Sequence, residues 1–98
     1  MVVVHKIFKG ISTEIEIEKT GVGKAHIRVQ LEEGSGRSYR IRVTLKKGER
    51  DVSSFLLDEG YALFEEIPFG QYELIFSENG DLLGTYSFEI KESQHGGR

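Results

Sequence analysis

The sequence predicts an all-β domain, an antiparallel β-sandwich of about seven strands, and three observations predict it. Apolar and polar residues alternate with period two through most of the 98 residues, and alternate side chains leave a strand on opposite faces. Turn chemistry separates these runs at intervals of about 8–12 residues, the spacing of sandwiches and barrels. No window carries a helical apolar stripe; the best attempt, 53–66, is interrupted by Gly60.

The elements follow in order. A first strand is expected near 2–8, ended by Lys9-Gly10. In 13–19, Ile15 and Ile17 alternate with Glu14, Glu16 and Glu18. In 24–31, Ala25, Ile27, Val29 and Leu31 alternate with Lys24, His26, Arg28 and Gln30. In 38–46, Tyr39, Ile41, Val43 and Leu45 alternate with Arg40, Arg42, Thr44 and Lys46. Further strands are expected at 52–57, at 61–66 together with 71–76, and at 82–90. One apolar and one polar face per strand is what antiparallel sheets with one solvated side require. Asn79-Gly80 is the strongest hairpin signal, since both residues tolerate positive φ. Pro68 cannot donate to a strand ladder, so Ile67–Gly70 reads as a corner between two strands. Phe64, Tyr72, Leu74, Phe88, Ile41 and Val43 are the expected core; Glu73, Glu89, Arg42 and Thr44 are their exposed alternates.

Composition bounds the chemistry. Apolar content of 38% with ten aromatic residues supplies one core and excludes a disordered segment. The expectation is a single domain over 1–92 and a flexible tail over 93–98, which has no apolar residue. There is no cysteine, hence no disulfide, thiolate metal site or cysteine nucleophile. The valine run at 2–4 is too short for a signal sequence or a membrane span. The expected location is therefore cytoplasmic if the chain is full length.

The segment Asp58–Phe76 resembles a bacterial sandwich pattern found in carboxypeptidase regulatory-like domains, collagen-adhesin B-type repeats and prealbumin-like folds. Gly60 supplies a turn before a strand bearing Phe64. An apolar-Pro-x-Gly corner follows at Ile67–Gly70, then a tyrosine-led strand with Tyr72, Leu74 and Phe76. The resemblance implies an immunoglobulin-like or prealbumin-like sandwich and little about function, because this scaffold hosts unrelated roles. Adhesin repeats join a lysine to an asparagine on the last strand, but Asn79 is the only asparagine here and sits in a turn. Transthyretin-like hydrolases end in Tyr-Arg-Gly-Ser, and this chain ends in His95-Gly-Gly-Arg98.

No catalytic residue, metal ligand or cofactor site is identified. His5, His26 and His95 have no metal-ligand spacing. Ser53 and Ser54 lack a motif supplying a base. Glu78–Asp81 reads as a hairpin turn and not as a calcium loop. Gly96-Gly97 resembles a modifier tail, but the helix such a fold needs is missing from the sequence.

Charge is unevenly laid out. Residues 24–50 carry a net +5 and residues 51–92 a net −9 within an overall −3. Lys24, Arg28, Arg40, Arg42 and Lys46 form a basic stripe and the candidate interaction face. Aromatics fall on the apolar phase, which argues against stacking on nucleic acid. The competing account is structural: pairing of 13–19 with 24–31 would set Glu18 opposite Lys24, Glu16 opposite His26 and Glu14 opposite Arg28. The expected function is a non-catalytic spacer or protein-interaction module of a larger bacterial protein, whose partner is another protein or a neighbouring domain. Carbohydrate binding is the alternative, and it calls for exposed aromatics on one sheet face.

Overall fold

A computed structural model describes residues 1–32, 40–58 and 60–92. Among them are eight strands and no helix: β1 (Val2–Phe8), β2 (Ile11–Gly21), β3 (Lys24–Leu31), β4 (Ile41–Lys47), β5 (Arg50–Leu56), β6 (Tyr61–Pro68), β7 (Gly70–Glu78) and β8 (Asp81–Ile90). They form two four-stranded sheets, ordered β1-β2-β3-β6 and β5-β4-β7-β8, with every pair antiparallel. The all-β antiparallel sandwich expected from the alternation is therefore the fold.

The count rises to eight because 61–66 and 71–76 are separate strands, in different sheets. β2 also runs further at both ends than 13–19. The expected strand start at 38–39, including Tyr39, and the tail 93–98 lie outside the described residues.

The hairpins explain the short connections. At β1–β2 the central residues Lys9 and Gly10 have φ of 51° and 84°; at β7–β8, Asn79 and Gly80 have 51° and 88°. Positive φ at both positions is the type I′ turn, whose twist matches that of the flanking strands. Phe8 consequently pairs with Ile11, and Glu78 with Asp81.

The inner faces meet in one core. From the first sheet come Ile11, Thr13, Ile15, Ala25, Ile27, Val29, Ala62, Phe64 and Ile67; from the second, Ile41, Val43, Leu45, Tyr72, Leu74, Phe76 and Ile90. Thr13, the one buried polar residue among the described residues, donates its hydroxyl to the Lys6 carbonyl at 3.0 Å, which meets the cost of burying it. Phe64, Tyr72, Leu74, Ile41 and Val43 are buried as expected, and Arg42 and Glu89 are exposed. Phe88 is only half-buried, because β8 is an edge strand and one flank of its side chains has no neighbouring strand. Thr44 and Glu73, on central strands, are half-buried instead of open.

The alternation in β6 changes phase between Phe64 and Ile67. Ile27 pairs with Phe64 but Ala25 with Ile67, so one extra residue of β6 is accommodated by a bulge. Glu66 takes φ 56° there, and its N–H donates to His26 Nδ1 at 3.3 Å. The bulge turns Ile67 inward, 5% exposed. The Tyr72 hydroxyl then donates to the Pro68 carbonyl at 2.6 Å. Burial raises the phenol's pKa, which keeps it a donor. Tyr72→Phe leaves that carbonyl unmatched, and a denaturation series should show about 0.5–1.5 kcal/mol lost.

Phe8 reaches from β1 across the sandwich and stacks on Phe76 of β7, with ring centroids 4.8 Å apart. Gly84 makes room for it: a Cβ there would stand 2.2 Å from Phe8 Cδ1. Gly84→Ala should therefore cost about 1–3 kcal/mol by overpacking. In a Phe8→Ala background the penalty should shrink. Equal penalties in both backgrounds, read from chemical denaturation, would show that the ring is not the obstacle.

Candidate interaction surfaces

Strand phase decides which charged side chains share a face. On the outer face of the first sheet lie Val3, His5 and Ile7 of β1, the glutamates of β2, His26, Arg28 and Gln30 of β3, and Tyr61 and Leu63 of β6, as their register partners show. The β2–β3 register corrects the expected pairing by two residues. Glu14 faces Gln30, Glu16 faces Arg28, Glu18 faces His26, and Lys24 faces Gly21. The reason is the turn and a bulge: β2 continues to Gly21, so only Val22 and Gly23 span the hairpin where a longer loop over 19–23 was expected, and a bulge between Lys19 and Gly21 takes up one residue. A two-residue shift keeps every side chain on its expected face.

The basic stripe is divided between the two sheets. Lys24 and Arg28 stand on β3, in the first sheet; Arg40, Arg42 and Lys46 stand on or just before β4, in the second. Arg28 is exposed, has Glu16 as cross-strand neighbour, and lies over the Tyr61 ring at 5.4 Å. Lys24 is exposed near the β2–β3 turn. Lys46 is half-buried between its register partners Asp51 on β5 and Glu73 on β7. The register partners of Arg42, Leu56 and Ser77, are uncharged. With Arg40, Leu56, Ser77, Asn79 and Gly80 it lines a depression of about 240 Å³.

A second depression, about 670 Å³, runs along the open seam where β1 and β2 face β8. Its walls include Val2, Ile17, Tyr86, Phe88 and Ile90, and Glu18, Lys19, Glu89 and Lys91 ring it. A third, about 480 Å³, lies on the second sheet between Gln71, Glu73, Ser87 and Glu89. At the opposite seam, between β5 and β6, Phe55, itself 40% exposed, packs edge-on against Phe64 at 5.2 Å.

Register also assembles a cluster that the sequence spacing conceals. His5 pairs with Glu14 across β1–β2, and the Glu32 N–H donates to the Ser12 carbonyl at 3.0 Å, which brings Glu32 beside both. The ligand atoms of His5, Glu14 and Glu32 lie within 4.8 Å of one another. One nitrogen and two carboxylate oxygens are donors suited to a divalent ion. The His5–Glu32 ion pair accounts for the contact without one. Positions 5, 14 and 32 have no motif spacing; a correct strand register is the signal that finds them.

Other candidates have local explanations. Ser54 Oγ accepts from Arg42 Nη1 and is 3.0 Å from Thr44 Oγ1, neighbours that do not act as a base. Glu78–Asp81 forms the β7–β8 turn. His26 accepts the bulge N–H. His95, with Gly96-Gly97, lies outside the described residues. Among the described residues Tyr61 is the one aromatic on an outer sheet face, and no helix is long and apolar enough to cross a membrane. The chain matches no protein-family model, no curated protein and no solved structure.

The Glu14 carboxyl is held above its ordinary pKa. A hydrogen bond with Glu16 is the main cause, followed by desolvation and the charges of Glu16 and Glu32, while His5 opposes them. A carboxyl whose folded pKa exceeds its unfolded one leaves stability intact at low pH and lowers it as pH rises through the folded pKa. Glu14→Gln should thus melt higher than the parent at pH 7. The difference should vanish below about pH 4, where the parent carboxyl is protonated in both states. An unchanged or lower melting temperature at pH 7 would show that attraction to His5 outweighs the carboxylate crowding.

Proposed function

We infer that this domain is a non-catalytic interaction module that takes an extended polypeptide segment at the β1/β8 seam. In this reading it serves as a protein-binding or spacer unit of a larger bacterial protein, of the kind carboxypeptidase regulatory-like and prealbumin-like sandwiches provide. The observation that carries it is the contrast between the two seams. At one, Phe55 packs edge-on against Phe64; the other keeps an apolar groove between two edge strands. An edge strand offers unpaired backbone groups to a further strand, and alternate side chains of that strand would enter the groove. The packed interior supports a binding role over catalysis, since enzymes and small-ligand sites use concave pockets with convergent polar groups.

A library of random extended peptides displayed on phage, selected against the folded domain, tests this. Enriched peptides should share alternating apolar residues. They should lose binding to Tyr86→Glu, in the groove, and keep it to Leu82→Glu, outside it. Failure to enrich any motif, or equal binding to both variants, overturns the reading.

A further inference from the structure

The depression at Arg40 and Arg42 lies on the outer face of the second sheet, away from the seam, and its chemistry is independent of the proposed peptide groove. Residues 40 and 42 have the same phase and stand roughly 7 Å apart along the chain. The β4–β7 register gives Lys46 the carboxylate of Glu73 as neighbour, but gives Arg42 the hydroxyl of Ser77. On its other side Arg42 meets Leu56. Arg40 is held beside the β7–β8 turn, where the Asn79 N–H donates to its carbonyl at 3.3 Å.

Among the described residues neither guanidinium has a carboxylate within 4.0 Å. Arg42 is also oriented, because its Nη1 donates to Ser54 Oγ at 3.0 Å and Ser54 is tied to Thr44. A guanidinium has five N–H donors, so four on Arg42 are left for other acceptors. Two like charges side by side, with no carboxylate within 4.0 Å among the described residues and Leu56 as an apolar wall, raise the local positive potential. The remaining donors are two guanidinium forks, the Ser77 hydroxyl and the Asn79 carboxamide. The four residues that carry them line one small depression of about 240 Å³, with Leu56 and Gly80. A tetrahedral oxyanion has the three or four acceptor oxygens such a set engages, whereas a planar carboxylate has two.

We propose that this depression binds one phosphate-class oxyanion, clamped by Arg40 and Arg42 and oriented by Ser77 and Asn79. The same site accepts free orthophosphate or the terminal phosphate of a monoester, since its open side faces solvent.

Amide chemical shifts of the ¹⁵N-labelled domain, titrated with sodium phosphate at constant pH and ionic strength, test the site. The expected result is saturable shifts at Arg40, Arg42, Ser77, Asn79 and Gly80, half-complete in the millimolar range. Sodium acetate should not reproduce them. Arg40→Gln and Arg42→Gln should each weaken binding roughly tenfold or more, the worth of a charge-assisted contact, while Arg28→Gln on the other sheet binds as the parent does. Arg40 precedes β4, so its variant keeps the spectrum elsewhere and serves if Arg42→Gln disturbs the sheet. Phenyl phosphate binding as well as orthophosphate assigns the site to phosphate carried on a larger molecule; orthophosphate binding alone assigns it to the free ion. Shifts that stay linear, that acetate matches, or that survive in both Arg40→Gln and Arg42→Gln overturn the proposal.

Discussion

The passage from Phe64 to Tyr72 is the constraint on which the two-sheet arrangement rests. Only Phe69 separates β6 from β7, yet the two strands belong to different sheets. Such a short crossing demands that the chain leave one layer with its last apolar side chain inward and enter the other in correct phase. The bulge at Glu66 does the first by switching Ile67 into the core. Tyr72 does the second, with its ring buried and its hydroxyl fastened to the carbonyl it has just passed. Pro68 costs no ladder donor there, and the Phe69 N–H is satisfied by the Gly23 carbonyl at 3.0 Å. With this corner set, β6 lies beside β3 and β7 beside β4, and the inner faces close on one core.

A two-layer sandwich leaves strands at both ends of each sheet without a neighbour, and the two seams of this domain are managed differently. At the β5/β6 end Phe55 packs on Phe64. At the β1/β8 end, Phe8 is drawn over Gly84 onto Phe76, which fills that part of the seam. Further along, Tyr86 and Phe88 stack on each other at 5.5 Å and leave a groove beside Ile17 and Val2. Lys6 over Tyr86, at 5.5 Å, places a charge at that edge, a feature that discourages indiscriminate strand pairing. The groove is therefore a property of where large and small side chains fall on two edge strands.

Surface charge follows the same logic of register. Glu16 beside Arg28, and Lys46 between Asp51 and Glu73, set opposite signs across neighbouring strands, each pair a modest contribution of about 0.2–1 kcal/mol. This arrangement sets Arg28 and Lys46 beside acidic register partners. Arg40 and Arg42 escape it, because the strand segments beside them offer Ser77, Leu56 and the β7–β8 turn. What sets them apart within the stripe is that they line one depression together with Ser77 and Asn79.

The amino-acid sequence by itself determined the fold class, the face of nearly every strand residue and the hairpin at Asn79-Gly80. Each of these depends on interactions local in the chain: alternation within a strand, or the φ preferences of two adjacent residues. It also placed Pro68 at a corner. Only the tertiary structure decided that 61–66 and 71–76 part into different sheets, and that β2 meets β3 two residues out of the expected register. It alone divided the basic stripe between two outer faces and brought His5, Glu14 and Glu32 together. These outcomes depend on which strands become neighbours. A slip of two residues preserves every apolar face, so hydrophobic patterning cannot register it; turn length and packing across the core decide it instead.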